Sequence, residues 1–444
     1  MARELKIDAV QEADIVDLAH DGRGIARIDG KAVFVAGALP GERVRLRVLK
    51  RRRHMDEAGL VDILVASPDR VAPQCAHFGI CGGCSLQHLT PTAQLAAKER
   101  QLLDTLERIG RVRPEHVLPA VRGPHWAYRR RARLGVKYVH KKGRVLAGFR
   151  EREKPYLADI QHCEVLSEPF ASLPTDLAKL VETLSLREQI PQVEVAVGDQ
   201  GRALVFRVLA APSDEDLLKL DTFGATQGAQ IFLQSGGLDT IRPLRSDYPP
   251  LRYTLASAAD AMPMTIEFGP VDFIQVNREI NLSLVAQAEA LLQPTAQDTI
   301  LDLFCGLGNF TLPLARRALR VVGVEGDAGL VAKAGANALR NAIGNASFFT
   351  DNLFEPARCG NWAAQRYDLV LLDPPRAGAI AILGLVPHWR PRRVVYISCH
   401  PGSLARDAGI LVENHGFKLL GAGVMDMFPH TAHVESIAVF ESGA

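Results

Sequence analysis

Three short runs hold the side chains best suited to covalent and acid–base work. Cys399 closes the apolar run RVVYISC and is followed by His-Pro, Asp373 opens DPPR after YDLVLL, and Glu435, His430 and His433 share DMFPHTAHVES. A thiol ending a buried strand can act as a nucleophile, and a carboxylate or imidazole can move a proton. A fourth run, TILDLFCGLGNFTLPLARRA, passes from an apolar strand (Ile300 to Phe304) through Gly306 and Gly308 into a helix. In that arrangement backbone approaches a nucleotide-like cofactor at the carboxyl edge of a sheet. Thr311 stands where a dinucleotide fingerprint requires its third glycine, which argues against a nicotinamide cofactor. The next strand, RVVGVE, ends in Glu325, whose carboxylate can accept both ribose hydroxyls of an adenosine. The pair Asp351–Asn352 follows the third strand and Asp373 the fourth, and either member of the pair can serve an adenine.

This series of strand-end residues resembles the S-adenosylmethionine-dependent methyltransferases of the doubly wound α/β class. The methyl acceptor must be read from the site rather than the fold. Carbon 5 of a pyrimidine is too weak a nucleophile to attack a sulfonium unaided, so a thiolate must first add at C6, and a base must later remove the C5 proton. Adenine N6 methylation needs no thiol and favours an aromatic after D-P-P, where this chain has Arg376. The runs LDLFCGLGNF, VLLDPPRAG, YISCHPGSLARD and DMFPHTAHVES, with FIQVN at 273–277, resemble the RNA uracil-5-methyltransferases over nearly the whole chain. The resemblance implies Cys399 as nucleophile and Glu435 as base. It also implies Gln275, Phe304, Asn309, Glu325, Asn352 and Asp373 as contacts to S-adenosylmethionine. One departure is visible: the family commonly has Asn after the catalytic cysteine, and this chain has His400. Cys305 and Cys359 read as small apolar residues.

Four further cysteines lie outside the catalytic half. Cys75, Cys81 and Cys84 form C-x5-C-x2-C in QCAHFGICGGCSLQHL, and Cys163 follows in QHCEV. Four thiolates can close a [4Fe-4S] cluster or a tetrahedral zinc site, and spacing alone does not choose. The pattern resembles the iron-sulfur site of the ribosomal branch of the family, which implies a [4Fe-4S] cluster held by these four.

The elements that must carry these residues exceed one core, because 444 residues at 100–200 per domain make two to four domains. Residues 1–67 read as short strands between glycine turns, a small β barrel. In RVRLRVLK the residues Arg43, Arg45 and Arg47 alternate with Val44, Leu46 and Val48, which puts the cations on one strand face. The run 43–53 holds seven cations and no acid, suited to phosphates, and DGRGIAR through GKAVFVAGALPGE resembles the TRAM domain, an OB-like RNA-binding barrel. Residues 91–110 read as a helix, and 68–270 as a mainly β middle domain containing the cysteine motif. Within it, 122–154 carries a charge of +10, with Tyr128 and Tyr138 interleaved, and 155–297 carries −10. The basic stretch reads as an RNA-binding arm, the alternative being a solvated face neutralised by the acidic segment after it. Residues 271–444 form the Rossmann-like catalytic domain. Having barrel and cluster together, the chain resembles the branch acting on 23S ribosomal RNA. Alternatives are the same chemistry on transfer RNA, and a non-catalytic, redox-sensing RNA-binding protein. No apolar run is long enough to span a membrane and the first twenty residues lack a signal-peptide core, so the chain reads as cytoplasmic, with no protein partner implied.

Overall fold

Alternation between charged and apolar side chains builds the N-terminal strands: β1 (Val10–Leu18), β2 (Gly24–Ile28), β3 (Lys31–Ala36), β4 (Arg43–Arg51) and β5 (Met55–Val65) close into a barrel in the order β1-β2-β3-β5-β4. The computed structural model describes residues 10–256 and 262–443. Val44, Leu46 and Val48 point inward and are fully buried with Ile15, Val33 and Val35, while Arg43 and Arg47 stay exposed. Burying each such Val or Leu contributes roughly 1.5–3 kcal/mol, which holds this small barrel together. The arginine face is less cationic than its own strand suggests. Arg43 pairs with Glu12 at 3.2 Å across the β1–β4 ladder, and Arg45 with Asp62 at 3.0 Å on β5.

By their contacts the residues fall into two units. The first comprises residues up to 101 with 150–158 and 428–433, so the cysteine-rich segment 68–101 groups with the barrel. The second comprises 102–149, 159–427 and 434–444. The expected helix forms as α1 (Pro91–Thr105), continued to Gly110 by a wider π-helical turn and stopped by Arg111 in the left-handed region. The strands β6 (His116–Val117), β7 (Arg131–Val139) and β8 (Arg144–Gly148) follow, then α2 (Leu173–Glu182), β9 (Gln192–Val197), β10 (Arg202–Arg207), α3 (Asp214–Gln227), β11 (Gln230–Gln234) and β12 (Ile241–Pro243). A six-stranded sheet in the order β12-β11-β10-β9-β7-β8 forms the middle of the chain. The helices α2 and α3 accompany this sheet in a region that the sequence marks as mainly β. Their apolar spacing is diluted, but Ser213 and Asp216 form a capping box at the start of α3, a local signal legible in the sequence.

The basic stretch sits largely within this sheet and its charges are answered. Arg130 pairs with Asp199, Arg131 and Arg133 with Glu194, and Lys142 and Arg144 with Asp159. The −10 segment therefore neutralises much of the +10 arm on the same unit.

A hairpin of β13 (Leu251–Leu255) and β14 (Met264–Phe268) precedes α4 (Arg278–Leu292). Strand and helix then alternate: β15 (Thr299–Leu303), α5 (Thr311–Ala315), β16 (Arg320–Glu325), α6 (Ala328–Arg340), β17 (Ala346–Thr350), β18 (Leu369–Leu372), α7 (Ile380–Leu383), α8 (Val386–Trp389), β19 (Arg393–Ser398) and α9 (Pro401–Gly409). The chain ends in β20 (Phe417–Met425) and β21 (Glu435–Ser442). Their sheet has the order β17-β16-β15-β18-β19-β21-β20-β6. Its central strands are buried on both faces, as parallel strands covered by helices are. After β17 the chain crosses to the far side of β15, so the order reverses between β15 and β18, and a crevice opens beyond their carboxyl ends. Among the described residues no helix is long and apolar enough to cross a membrane.

Candidate active site

Every strand-end residue singled out above sits at this crevice edge, but the register decides which of them meet. Strands β19 and β21 run antiparallel with Ser398 opposite Ser436, so the next pair outward is Cys399 opposite Glu435. Thirty-five residues of sequence lie between them, and continuing the register one position past its last pair brings them level. Asp373 directly follows β18, the neighbouring parallel strand. The three groups feel one another: burial first, then the Glu435 and Asp373 carboxylates, pushes the Cys399 thiol up to about 11, against a smaller opposing pull from Arg376. Burial and Asp373 hold Glu435 well above the usual carboxylate range, and burial alone pushes Asp373 up to about 7. All three groups are therefore shifted toward their protonated forms, with burial as the main cause.

His400 explains itself. Its Nδ1 accepts the Ser403 N–H at 3.1 Å and caps α9, with Pro401 at the first helical position. An Asn at this position would do the same job with its side-chain oxygen, so the departure from the family pattern preserves the cap. At the other end of this run, buried Asp407 accepts the Ala379 N–H (2.7 Å) and the Tyr396 hydroxyl (2.6 Å), while Arg406 donates to the Ala377 carbonyl. Gly378 (φ +82°) lies so close beneath them that a Cβ would meet Asp407 and Arg406 within 2.6 Å. The DPPRAG loop is thereby seated on α9.

The glycine loop is built for close approach. Phe304 has a left-handed backbone (φ +65°), unusual for a bulky residue, and donates its N–H to the Val324 carbonyl at 2.8 Å. A Cβ on Gly306 would meet nothing within 4 Å, so open space lies over this backbone. Glu325 accepts the N–H groups of Gly306, Gly326 and Asp327, which aims its carboxylate across the loop. A carboxylate has further acceptor positions beyond these three. The Phe304 ring tilts against Phe354 at 5.9 Å between centroids, bringing together the loops after β15 and β17.

Asp351 and Asn352 separate in role. Asp351 spends one oxygen on the Gly360 N–H (2.8 Å) and the Trp362 indole N–H (2.5 Å), while exposed Asn352 engages Glu355 and the Phe354 N–H. Asn309 is held in a reciprocal amide pair with Asn281, 3.0 Å each way, and also accepts the Tyr253 hydroxyl at 3.0 Å. Half-buried Gln275 lines a small pocket with Tyr253, Asn281 and Ile274, next to that cluster. Tyr253, Asn281, Phe354 and Asp407 carry no spacing signal in the sequence, because their parts in the site arise from tertiary partners. Beneath the loop, Asp302 is fully buried, accepts the Thr311 hydroxyl on one oxygen at 2.5 Å and has no partner on the other. Burial first, then the charges of Asp373 and Glu325, pushes it up to about 7 despite Thr311. Cys305 is buried, its thiol raised well above normal mainly by burial, and Cys359 is half-buried.

The profile of the tRNA (Uracil-5-)-methyltransferase family matches residues 92–442, and that of the TRAM domain matches residues 5–61. The chain belongs to the tRNA (uracil-5-)-methyltransferase family. It is 52% identical over 97% of its length to the 23S rRNA (uracil(1939)-C(5))-methyltransferase RlmD of Methylococcus capsulatus, covering 96% of that protein. It is 51% identical to the RlmD protein of Stenotrophomonas maltophilia, covering 97% of each. A crystal structure of Pyrococcus abyssi tRNA (uracil-54, C5)-methyltransferase in complex with S-adenosyl-L-homocysteine shares the fold, with a TM-score of 0.73 at 22% identity over 97% of this chain and 100% of that one. The chain is thus an S-adenosylmethionine-dependent RNA uracil-C5 methyltransferase.

In the first unit, Cys75, Cys81 and Cys84 occupy one loop, where the Cys81 sulfur accepts the Gly83 N–H at 3.4 Å and the Gly82 N–H donates to the Arg150 carbonyl. A Cβ on Gly82 would press on that carbonyl at 3.1 Å, so the turn between the close cysteines packs tightly against it. Cys163 lies in the second unit, buried, with its N–H on the Ala171 carbonyl. Among the described residues no group of three or more His, Cys, Asp or Glu side chains is gathered as a metal site. The soft, all-sulfur donor set and the sulfur-directed N–H of the glycine turn suit an iron-sulfur cluster.

Proposed function

We propose that this protein methylates carbon 5 of one uracil in 23S ribosomal RNA, the uracil corresponding to that named for its RlmD relatives. S-adenosylmethionine, when bound along Gly306, Phe304 and Glu325, with Gln275, Asn309, Asn352 and Asp373 around it, supplies an electrophilic methyl group. Cys399 adds its sulfur to C6 of the uracil and builds electron density at C5. After methylation Glu435 takes the C5 proton, the C5=C6 double bond re-forms, and the Cys399 thiolate leaves. Cys399 acts as a thiolate and Glu435 as a carboxylate, and the positive charge that the methyl donor would bring to this carboxylate-rich edge favours both anions. The target base must leave its stack to reach the crevice. We further propose that Cys75, Cys81, Cys84 and Cys163 hold a [4Fe-4S] cluster, that the barrel and the basic segment bind RNA backbone, and that the work is done in the cytoplasm. The domain limits suggested by the sequence, 1–67, 68–270 and 271–444, stand as part of this reading.

The observation that supports the reading is the register of β19 against β21, Ser398 opposite Ser436, which carries Cys399 and Glu435 to level positions at the edge that Asp373 also borders. Its test separates the two residues by step. Cys399→Ala should form neither 5-methyluridine nor a covalent protein–RNA species. Glu435→Gln should methylate and then stall, leaving a slow band on a denaturing gel with labelled RNA. Methylation retained by Cys399→Ala would overturn the assignment.

A further inference from the structure

The loop that leads into Glu435 does not group with the sheet that carries Glu435. Residues 428–433 belong with the first unit, where they are bound to the segment that directly follows Cys84. The N–H groups of Ser85 and Leu86 both donate to the His430 carbonyl at 2.9 Å, and the Ser85 hydroxyl accepts the Ala432 N–H at 3.1 Å. Gln94, on α1 and 1% exposed, accepts the His430 N–H at 2.8 Å. Its amide nitrogen donates to the Leu86 and Leu89 carbonyls at 3.0 and 2.8 Å, with the His430 Nδ1 3.3 Å away. Lys98, also buried, donates to the Phe428 carbonyl at 2.9 Å. The loop is strained where it is gripped, because His430 has a left-handed backbone (φ +64°) that a non-glycine residue holds only when its surroundings enforce it. A buried amide and a buried ammonium directed at the backbone of one loop are costly unless the loop's conformation matters.

We propose that Gln94 and Ser85 are positioning residues for Glu435, gripping the loop at His430 and Ala432, five and three residues before it, so that its carboxylate can reach the C5 proton. The inference rests on Glu435 as the base. The step served is the last one: the proton moves from C5 to the Glu435 carboxylate, the C5–H electron pair becomes the C5=C6 bond, and the C6–S bond breaks with both electrons going to Cys399. Addition and methyl transfer precede it and do not need this base.

The test compares Ser85→Ala and Gln94→Leu with Glu435→Gln in the full chain, using an RNA fragment containing the target uracil. Single-turnover methyl transfer, steady-state turnover, covalent protein–RNA species on denaturing gels and binding of S-adenosylhomocysteine are measured together. Ser85→Ala removes one hydrogen bond and should lower turnover about 10-fold, while Gln94→Leu frees the loop and should lower it by up to about 100-fold. In both, methyl transfer in a single turnover should stay within about 3-fold and the covalent species should accumulate. If turnover and methyl transfer fall together with no covalent species, or if Ser85→Ala leaves turnover unchanged, the positioning role is wrong. If Glu435→Gln itself accumulates no covalent species, the assignment of the base has failed instead.

Discussion

Replacing Asp302 by Asn should make the stability of this protein less sensitive to pH, and the size of the effect follows from its burial. Asp302 keeps its proton up to about 7 in the folded chain, against 3.8 for a free side chain. The folded state therefore binds more protons than the unfolded state between these values, so stability is greatest below 3.8 and is lost as pH rises to about 7. Each pH unit in that window removes about 1.4 kcal/mol, or roughly 4 kcal/mol in all, with no discount for solvent because the side chain is fully buried. Asn keeps an acceptor for the Thr311 hydroxyl but places an amide nitrogen where the Asp302 oxygen now lacks a partner. That orphan costs about 1–3 kcal/mol at every pH. The variant should thus be close to the parent, or slightly weaker, at pH 5, and more stable by about 1–3 kcal/mol at pH 8. The difference between the two should change by about 2.7 kcal/mol from pH 5 to pH 7. Urea unfolding of both proteins at half-unit pH intervals, followed by tryptophan fluorescence, measures it. Trp362 and Trp389 are buried in the catalytic unit and report on it. Parallel pH curves for variant and parent would refute the claim that Asp302 is carried as a buried, protonated acid.

Other outcomes follow from the same structure. His400→Ala should lose about 1 kcal/mol of stability through the missing cap on α9, while His400→Asn should stay within about 0.5 kcal/mol, both by thermal unfolding; equal losses would show that the ring does something other than cap. Changing Arg43, Arg45 and Arg47 together to Ala should weaken RNA binding and lower the slope of log affinity against log salt by up to about 0.9 per lost phosphate contact, measured by filter binding from low to high salt. Because Glu12 and Asp62 occupy two of these arginines, Glu12→Gln with Asp62→Asn should strengthen binding instead, and weaker binding would show that the pairs serve the barrel alone. Cys163→Ala should lose iron and the broad absorbance near roughly 400 nm expected of cysteine-ligated iron-sulfur, with S-adenosylhomocysteine binding kept; iron retained in full would remove Cys163 from the ligand set.

Local patterns in the sequence already determine much of this protein. Arg43 to Val48 declare a half-buried strand because a strand's side chains alternate between faces, and the apolar runs ending in Phe304, Glu325, Asp373 and Cys399 declare covered parallel strands that deliver their polar ends to one edge. Side-chain periodicity and caps are properties of a few adjacent residues, which is why even helix α3 had its capping box in plain sight. Partnership is not such a property. That Cys399 comes level with Glu435 depends on the register of β19 against β21; that Asn309 is clasped by Asn281 and Tyr253 depends on α4 and β13 packing beside the glycine loop; that Arg130, Arg133 and Arg144 are answered by Asp199, Glu194 and Asp159 depends on strand pairing within one unit. The loop before Glu435 is the clearest case, since DMFPHTAHVES reads as one continuous catalytic segment, while burial of Gln94 and Lys98 against the His430 and Phe428 backbone assigns its middle to the cysteine-bearing unit. Contacts between residues hundreds of positions apart are set by which surfaces bury together, and only the folded chain decides that.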